Sequence, residues 1–98
     1  MTDPIPLPEI LEAEWAKDQV LALFADLAAG AEVTHVQLKT DDFDATVKLA
    51  EAEAYFMDDQ ARAIQVRYRF EDETWSDTIV PGNPTTKIIR TRLPELPR

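Results

Sequence analysis

Apolar residues near the start of the chain recur at Ile10, Ala13, Val20, Leu21, Phe24, Leu27 and Ala28, which share one face at a period of 3.6 residues. Pro8 suits the first turn of a helix, because its ring fixes φ and its missing N–H has no intrahelical acceptor there. Gly30 supplies a stop signal. The stripe has a flaw: Glu14 and Lys17 fall on it, whereas Leu11 and Trp15 fall opposite. A break near Asp18, with Asp18 capping a second segment over 19–29, removes the conflict. An unbroken helix over 8–29 would run to about 33 Å, too long for a domain of this size. The pattern therefore predicts an N-terminal helix or helix pair.

Residues 33–40 read as a strand with Val36 and Leu38 inward. The stretch 43–60 carries two periods. Phe43, Ala45, Val47 and Leu49 alternate with polar residues, as in a strand, while Val47, Ala50, Ala54, Met57 and Ala61 are spaced for a helix. The run Ala50-Glu51-Ala52-Glu53-Ala54 has strong helix propensity. The expectation is a helix over 45–59 capped by Asp44, with a strand followed by a short helix as the alternative. Beyond it, Ile64, Val66, Tyr68 and Phe70 alternate with Gln65, Arg67 and Arg69, the period of a half-buried strand. An acidic turn at Glu71, Asp72 and Glu73 leads to a second strand, Thr74–Val80. Pro81 and Gly82 suit a type II turn, and Lys87–Leu93 makes a third strand ended by Pro94. The predicted fold is α+β: a helix or helix pair, strand, helix, then a three-stranded antiparallel meander, with the helices packed on one sheet face.

The 98 residues are enough for one domain, expected over 8–93, with flexible tails at 1–7 and 94–98. A hydrophobic content of 45% supports a core. The start of the chain has no basic stretch followed by an apolar run like that of a signal peptide. No segment approaches the roughly 20 apolar residues of a membrane span. A cytoplasmic protein without membrane attachment is the expectation. The net charge of −9 is unevenly placed. Residues 1–61 hold fourteen acids and three bases, and residues 62–98 hold five acids and seven bases. Direct nucleic-acid binding is disfavoured, because it requires a basic face. The acidic part is expected to be a solvated surface. The functional alternatives are docking on a basic partner and mimicry of nucleic-acid phosphates.

Counting removes several chemistries. With no cysteine there is no disulfide, thiolate nucleophile or zinc ribbon. His35 is the only histidine and Ser76 the only serine, so a Ser–His–Asp triad would require these two to converge. Asp41, Asp42 and Asp44 lack the glycine and the terminal glutamate of a calcium loop. Two glycines, Gly30 and Gly82, cannot form a phosphate-cradling loop. No enzyme activity, cofactor or metal is predicted.

Two candidate binding sites remain. Arg67 and Arg69 on one strand and Arg90 and Arg92 on another can share a sheet face, where they would form a basic patch for an acidic partner or anionic ligand. The intervening strand carries Trp75 and Asp77. A two- or four-residue turn places them beside Tyr68 and Val66 in the core, with Asp77 needing a partner such as the Tyr68 hydroxyl. A three-residue turn places them opposite the arginines instead. Leu11 and Trp15, one helical turn apart and off the apolar stripe, form the second candidate, an anchor for a partner groove or a homodimer. The leading expectation is a small acidic protein-interaction or accessory domain without catalysis. The alternative is a domain that holds an anion on the four arginines.

Overall fold

Leu11, Ala13 and Trp15 stand two residues apart with Glu12 and Glu14 between them, and that alternation suits a strand as well as a helix. In the computed structural model, which describes residues 10–94, the segment is a strand, β1 (Ile10–Trp15). It pairs antiparallel with a strand more than seventy residues away, placing Leu11 opposite Arg90, Ala13 opposite Ile88 and Trp15 opposite Thr86. The expected N-terminal helix is thus corrected to a strand over its first half. The flaw in the helical stripe is where strand period gives way to helix period. The tail placed at 1–7, the tail placed at 94–98 apart from Pro94, and Pro8 as a helix start lie outside the described residues.

Helix α1 (Lys17–Gly30) follows after a single residue. Its N-cap is Ala16, not Asp18. The Ala16 N–H donates to Gln19 Oε1 at 2.9 Å, and Asp18 sits in the first turn, where a carboxylate suits the helix dipole. Val20, Leu23, Phe24 and Leu27 form its buried stripe. Strand β2 (Glu32–Lys39) has a bulge between Val33 and His35. The extra residue lets Val33 and Val36, three apart, both meet the core side, opposite Tyr68 and Val66.

The expected helix over 45–59 is replaced by strand β3 (Asp44–Thr46) and helix α2 (Leu49–Met57). Asp44 lies in the strand and caps nothing; Lys48 is the N-cap, its N–H held by Glu51 Oε1 at 3.2 Å. The Thr40 hydroxyl accepts the N–H groups of Asp42 and Phe43, both at 3.1 Å, and so shapes the β2–β3 turn.

Strands β4 (Ala63–Phe70), β5 (Glu73–Val80) and β6 (Thr86–Leu93) complete the sheet. Its order is β1-β6-β5-β4-β2-β3, and every pairing is antiparallel. The described residues are therefore mostly β, a six-stranded sheet with two helices, and the expected three-stranded meander is only its middle. The β4–β5 turn has two residues, Glu71 and Asp72, with φ of 51° and 64°. Positive φ at both positions is what the twist of a two-residue hairpin demands, here without glycine. The type II turn expected at Pro81-Gly82 does not form, since Gly82 has no positive φ. Gly82 meets a different need: a Cβ there would lie 2.6 Å from the Thr85 carbonyl oxygen.

Both helices pack against β2. Phe24 of α1 and Phe56 of α2 meet with ring centroids 5.9 Å apart. Beneath them lie Val36, Leu38, Ile64, Val66 and Ile79, all buried. Each fully buried side chain of this kind contributes about 1.5–3 kcal/mol. The helix layer makes no extensive contact with β1 or β6. The other sheet face carries no helix among the described residues.

Candidate functional site

The two short loops of the last three strands decide where each arginine points. The two-residue β4–β5 turn puts Arg67 opposite Ser76, and β5–β6 pairing puts Ser76 opposite Thr91. Residues opposite each other in an antiparallel pair share a face. Arg67 and Arg69 therefore lie on the helix-free face, while Arg90 and Arg92 lie on the helix side. The four arginines do not converge, and the basic patch expected from them is corrected to two separate pairs.

The pairs also differ in charge balance. Arg90 Nε donates to Asp77 Oδ1 and Arg90 Nη2 to Asp77 Oδ2, each at 2.9 Å. Arg92 Nη1 donates to Glu73 Oε1 at 3.1 Å. Arg67 and Arg69 are exposed and make no ion pair among the described residues.

Asp77 is 0% exposed and sits beside Val66, as the two-residue turn requires. A buried carboxylate needs its lone pairs filled. Besides Arg90, it accepts the Tyr68 hydroxyl at 3.0 Å. Burial raises the Tyr68 phenol well above its ordinary range, and the adjacent Asp77 charge raises it further. The hydrogen bonds to Asp77 likewise raise the Arg90 guanidinium. The cluster is thus a closed set in which Arg90 and Tyr68 fill the Asp77 oxygens, and neither of these two donors is poised to give up a proton near neutral pH. At the surface, Arg62 grips Asp41 through two bonds of 2.6 and 2.8 Å and holds its carboxyl below the usual range.

His35 and Ser76 share the helix-free face, but Arg67 stands between them on β4. Two strand spacings separate them, about 10 Å, so neither can serve the other as base or nucleophile. His35 instead bonds Gln37 at 3.0 Å. Ser76 is buried, and its hydroxyl is the one buried side-chain polar atom among the described residues without a protein partner. No group of three histidine, aspartate or glutamate side chains there could hold a metal. No helix there is long and apolar enough to cross a membrane.

A cavity of about 540 Å³ lies between Lys17 and the β5–β6 loop. Its charges are already matched. Lys17 Nζ donates to Asp59 Oδ1 at 3.0 Å and to the Met57 carbonyl at 2.8 Å, and Arg62 is turned to Asp41. Nothing there is left to select a charged ligand.

A second cavity, of about 190 Å³, lies on the helix side at the β1 end of the sheet, lined by Leu11, Glu12, Ala13, Trp15, Ile88 and Arg90. Leu11 and Trp15, read from sequence as off the helical stripe, lie together here because both are odd positions of one strand. Trp15 packs against the core, whereas Leu11 is 51% exposed. The site residues missed from sequence are Glu12 and Ala13, signalled only by the period-2 run from Leu11 to Trp15, and Ile88, which lies in the expected third strand. No protein-family model, curated protein or solved structure matches the chain.

Proposed function

We propose that the protein is a small cytoplasmic interaction domain without catalytic activity, and that it contacts its partner through the β1 end of the sheet. The observation that carries this reading is Leu11, half exposed over an apolar cavity that the helix layer leaves open. A large apolar side chain held on a strand, beside a tryptophan anchored in the core, is the kind of rigid anchor that dominates binding energy at interfaces. The reading is further supported by the chemistry of the buried polar cluster, whose members satisfy one another. The anion-binding alternative has weaker support, because only Arg67 and Arg69 remain on one face with free charge.

Affinity capture from the source cell's lysate tests the reading, comparing the full chain with Leu11→Ser. Leu11 is too exposed for its loss to unfold the domain, so the two should melt at similar temperatures. The expected result is a protein retained by the wild type and lost by Leu11→Ser. Equal capture by both, or capture by neither, would sink the proposal.

A further inference from the structure

Strand β1 has β6 on one side only. Among the described residues nothing pairs with its outer edge, so alternate N–H and C=O groups of Ile10–Trp15 are aimed away from the sheet. Such an edge is a template for another strand unless it is blocked. The other end of the sheet is β3, only three residues long.

The two faces of β1 differ in chemistry. On the helix side, Leu11, Ala13 and Trp15 border the 190 Å³ cavity with Ile88 and with Arg90, whose charge Asp77 answers; Glu12 also reaches its rim. On the opposite side, Glu12 and Glu14 are both exposed. Glu14 stands opposite Lys87 but is held by the Thr85 hydroxyl at 3.1 Å, and neither glutamate has an ion-pair partner among the described residues. A strand laid along this edge would meet an apolar surface at every second residue and negative charge at the residues between.

We propose that β1 takes up an extended segment of a partner protein in which apolar residues alternate with lysine or arginine, as a seventh strand of the sheet. This rests on the interaction reading above and specifies its partner. Main-chain hydrogen bonds would supply the docking, and the side-chain alternation would supply the selection. Charge also argues against a second copy of this chain. In two β1 strands paired about a two-fold axis, residues on the same face must oppose each other. A register centred on Glu12 puts it against itself, and one centred on Ala13 puts Glu12 against Glu14 twice. Like charges directly opposite are destabilising, and each whole chain carries −9.

The test uses the isotope-labelled full chain and two blocked seven-residue peptides, one alternating valine with lysine and one valine with glutamate. The expected result is that the valine–lysine peptide shifts the amide signals of Ile10–Trp15 and slows hydrogen exchange at those that face away from β6. It should bind about tenfold or more tightly than the valine–glutamate peptide. The double variant Glu12→Lys/Glu14→Lys should reverse that preference. Binding of neither peptide, equal binding of both, or shifts centred on Arg67 and Arg69 would overturn the proposal. So would slow exchange, in the free chain, of the β1 amides that face away from β6. If independent of dilution, it would mean that the edge is covered by the chain's own ends; if lost on dilution, by a second copy. Loss of capture by Leu11→Ser without any peptide response would retain the interaction reading and overturn strand addition alone.

Discussion

A carboxylate as deeply buried as Asp77 is tolerated only because Arg90 and Tyr68 occupy its oxygens. Burial of the Tyr68 phenol, with the Asp77 charge beside it, makes stability depend on alkaline pH. The native Tyr68 phenol titrates above the ordinary value of 10.0, whereas the unfolded one titrates near it. Below pH 10 both states keep the proton and the full stabilisation is present. Above it the unfolded state alone releases the proton, and stability falls by up to about 1.4 kcal/mol per pH unit. Melting curves from pH 9 to 11 should therefore drop more steeply for the wild type than for Tyr68→Phe. Equal slopes would mean that the native phenol ionises freely. The partnership of Asp77 with Tyr68 is readable in the sequence once an even-length turn is chosen, since strand parity then places Asp77 on the side of Tyr68 and Val66. Arg90 as the stronger partner is not readable, because its face depends also on the pairing across residues 81–85. With Arg67 opposite Ser76 and Ser76 opposite Thr91, odd positions of β4 align with odd positions of β6, and Arg90 and Arg92 must face away from Arg67 and Arg69.

Among the elements, β1 was not placed by local pattern, and β3 only in the alternative reading of a strand followed by a short helix. Leu11, Glu12, Ala13 and Glu14 are strong helix formers, and isolated propensity favours a helix there. What overrides it is pairing with β6, a contact between sequence ends that no local window contains. The same holds for Asp44–Thr46, where three residues paired to β2 shorten the helix that follows. The strands β4 to β6 were legible because β-branched and aromatic residues alternate in them over seven or eight positions. The β4–β5 turn is well placed but made of unsuitable residues. Glu71 and Asp72 both adopt positive φ, which costs a residue with a Cβ of order 1 kcal/mol or more. Replacing the pair by Glu71→Asn and Asp72→Gly, the favoured type I′ dipeptide, should raise stability by about 1 kcal/mol in urea unfolding with an unchanged slope. A loss of stability would show that the glutamate or aspartate side chain contributes more than its backbone strain removes.

At the scale of the whole molecule, acidic charge is spread over a surface with few cations to answer it. Four ion pairs occur among the described residues, and only Arg90–Asp77 has a buried member. Exposed pairs of this kind contribute little, so repulsion should dominate the response to salt, which screens charges beyond about 8–10 Å. Moderate NaCl is expected to raise the melting temperature; each 1 kcal/mol of repulsion relieved corresponds to about 4–8 °C in a domain of this size. A steady fall with salt would mean that attractive pairs outweigh the repulsion. The inequality of the two sheet edges also bears on stoichiometry. Open-ended growth by strand addition needs a receptive edge at both ends of each unit, so that every added unit offers the next one a template. The β1 end offers six residues and the β3 end three, with Asp44 among them. A partner strand taken up at β1 would saturate at one per chain, and the protein would act as a terminator of β assembly and not as a link in it.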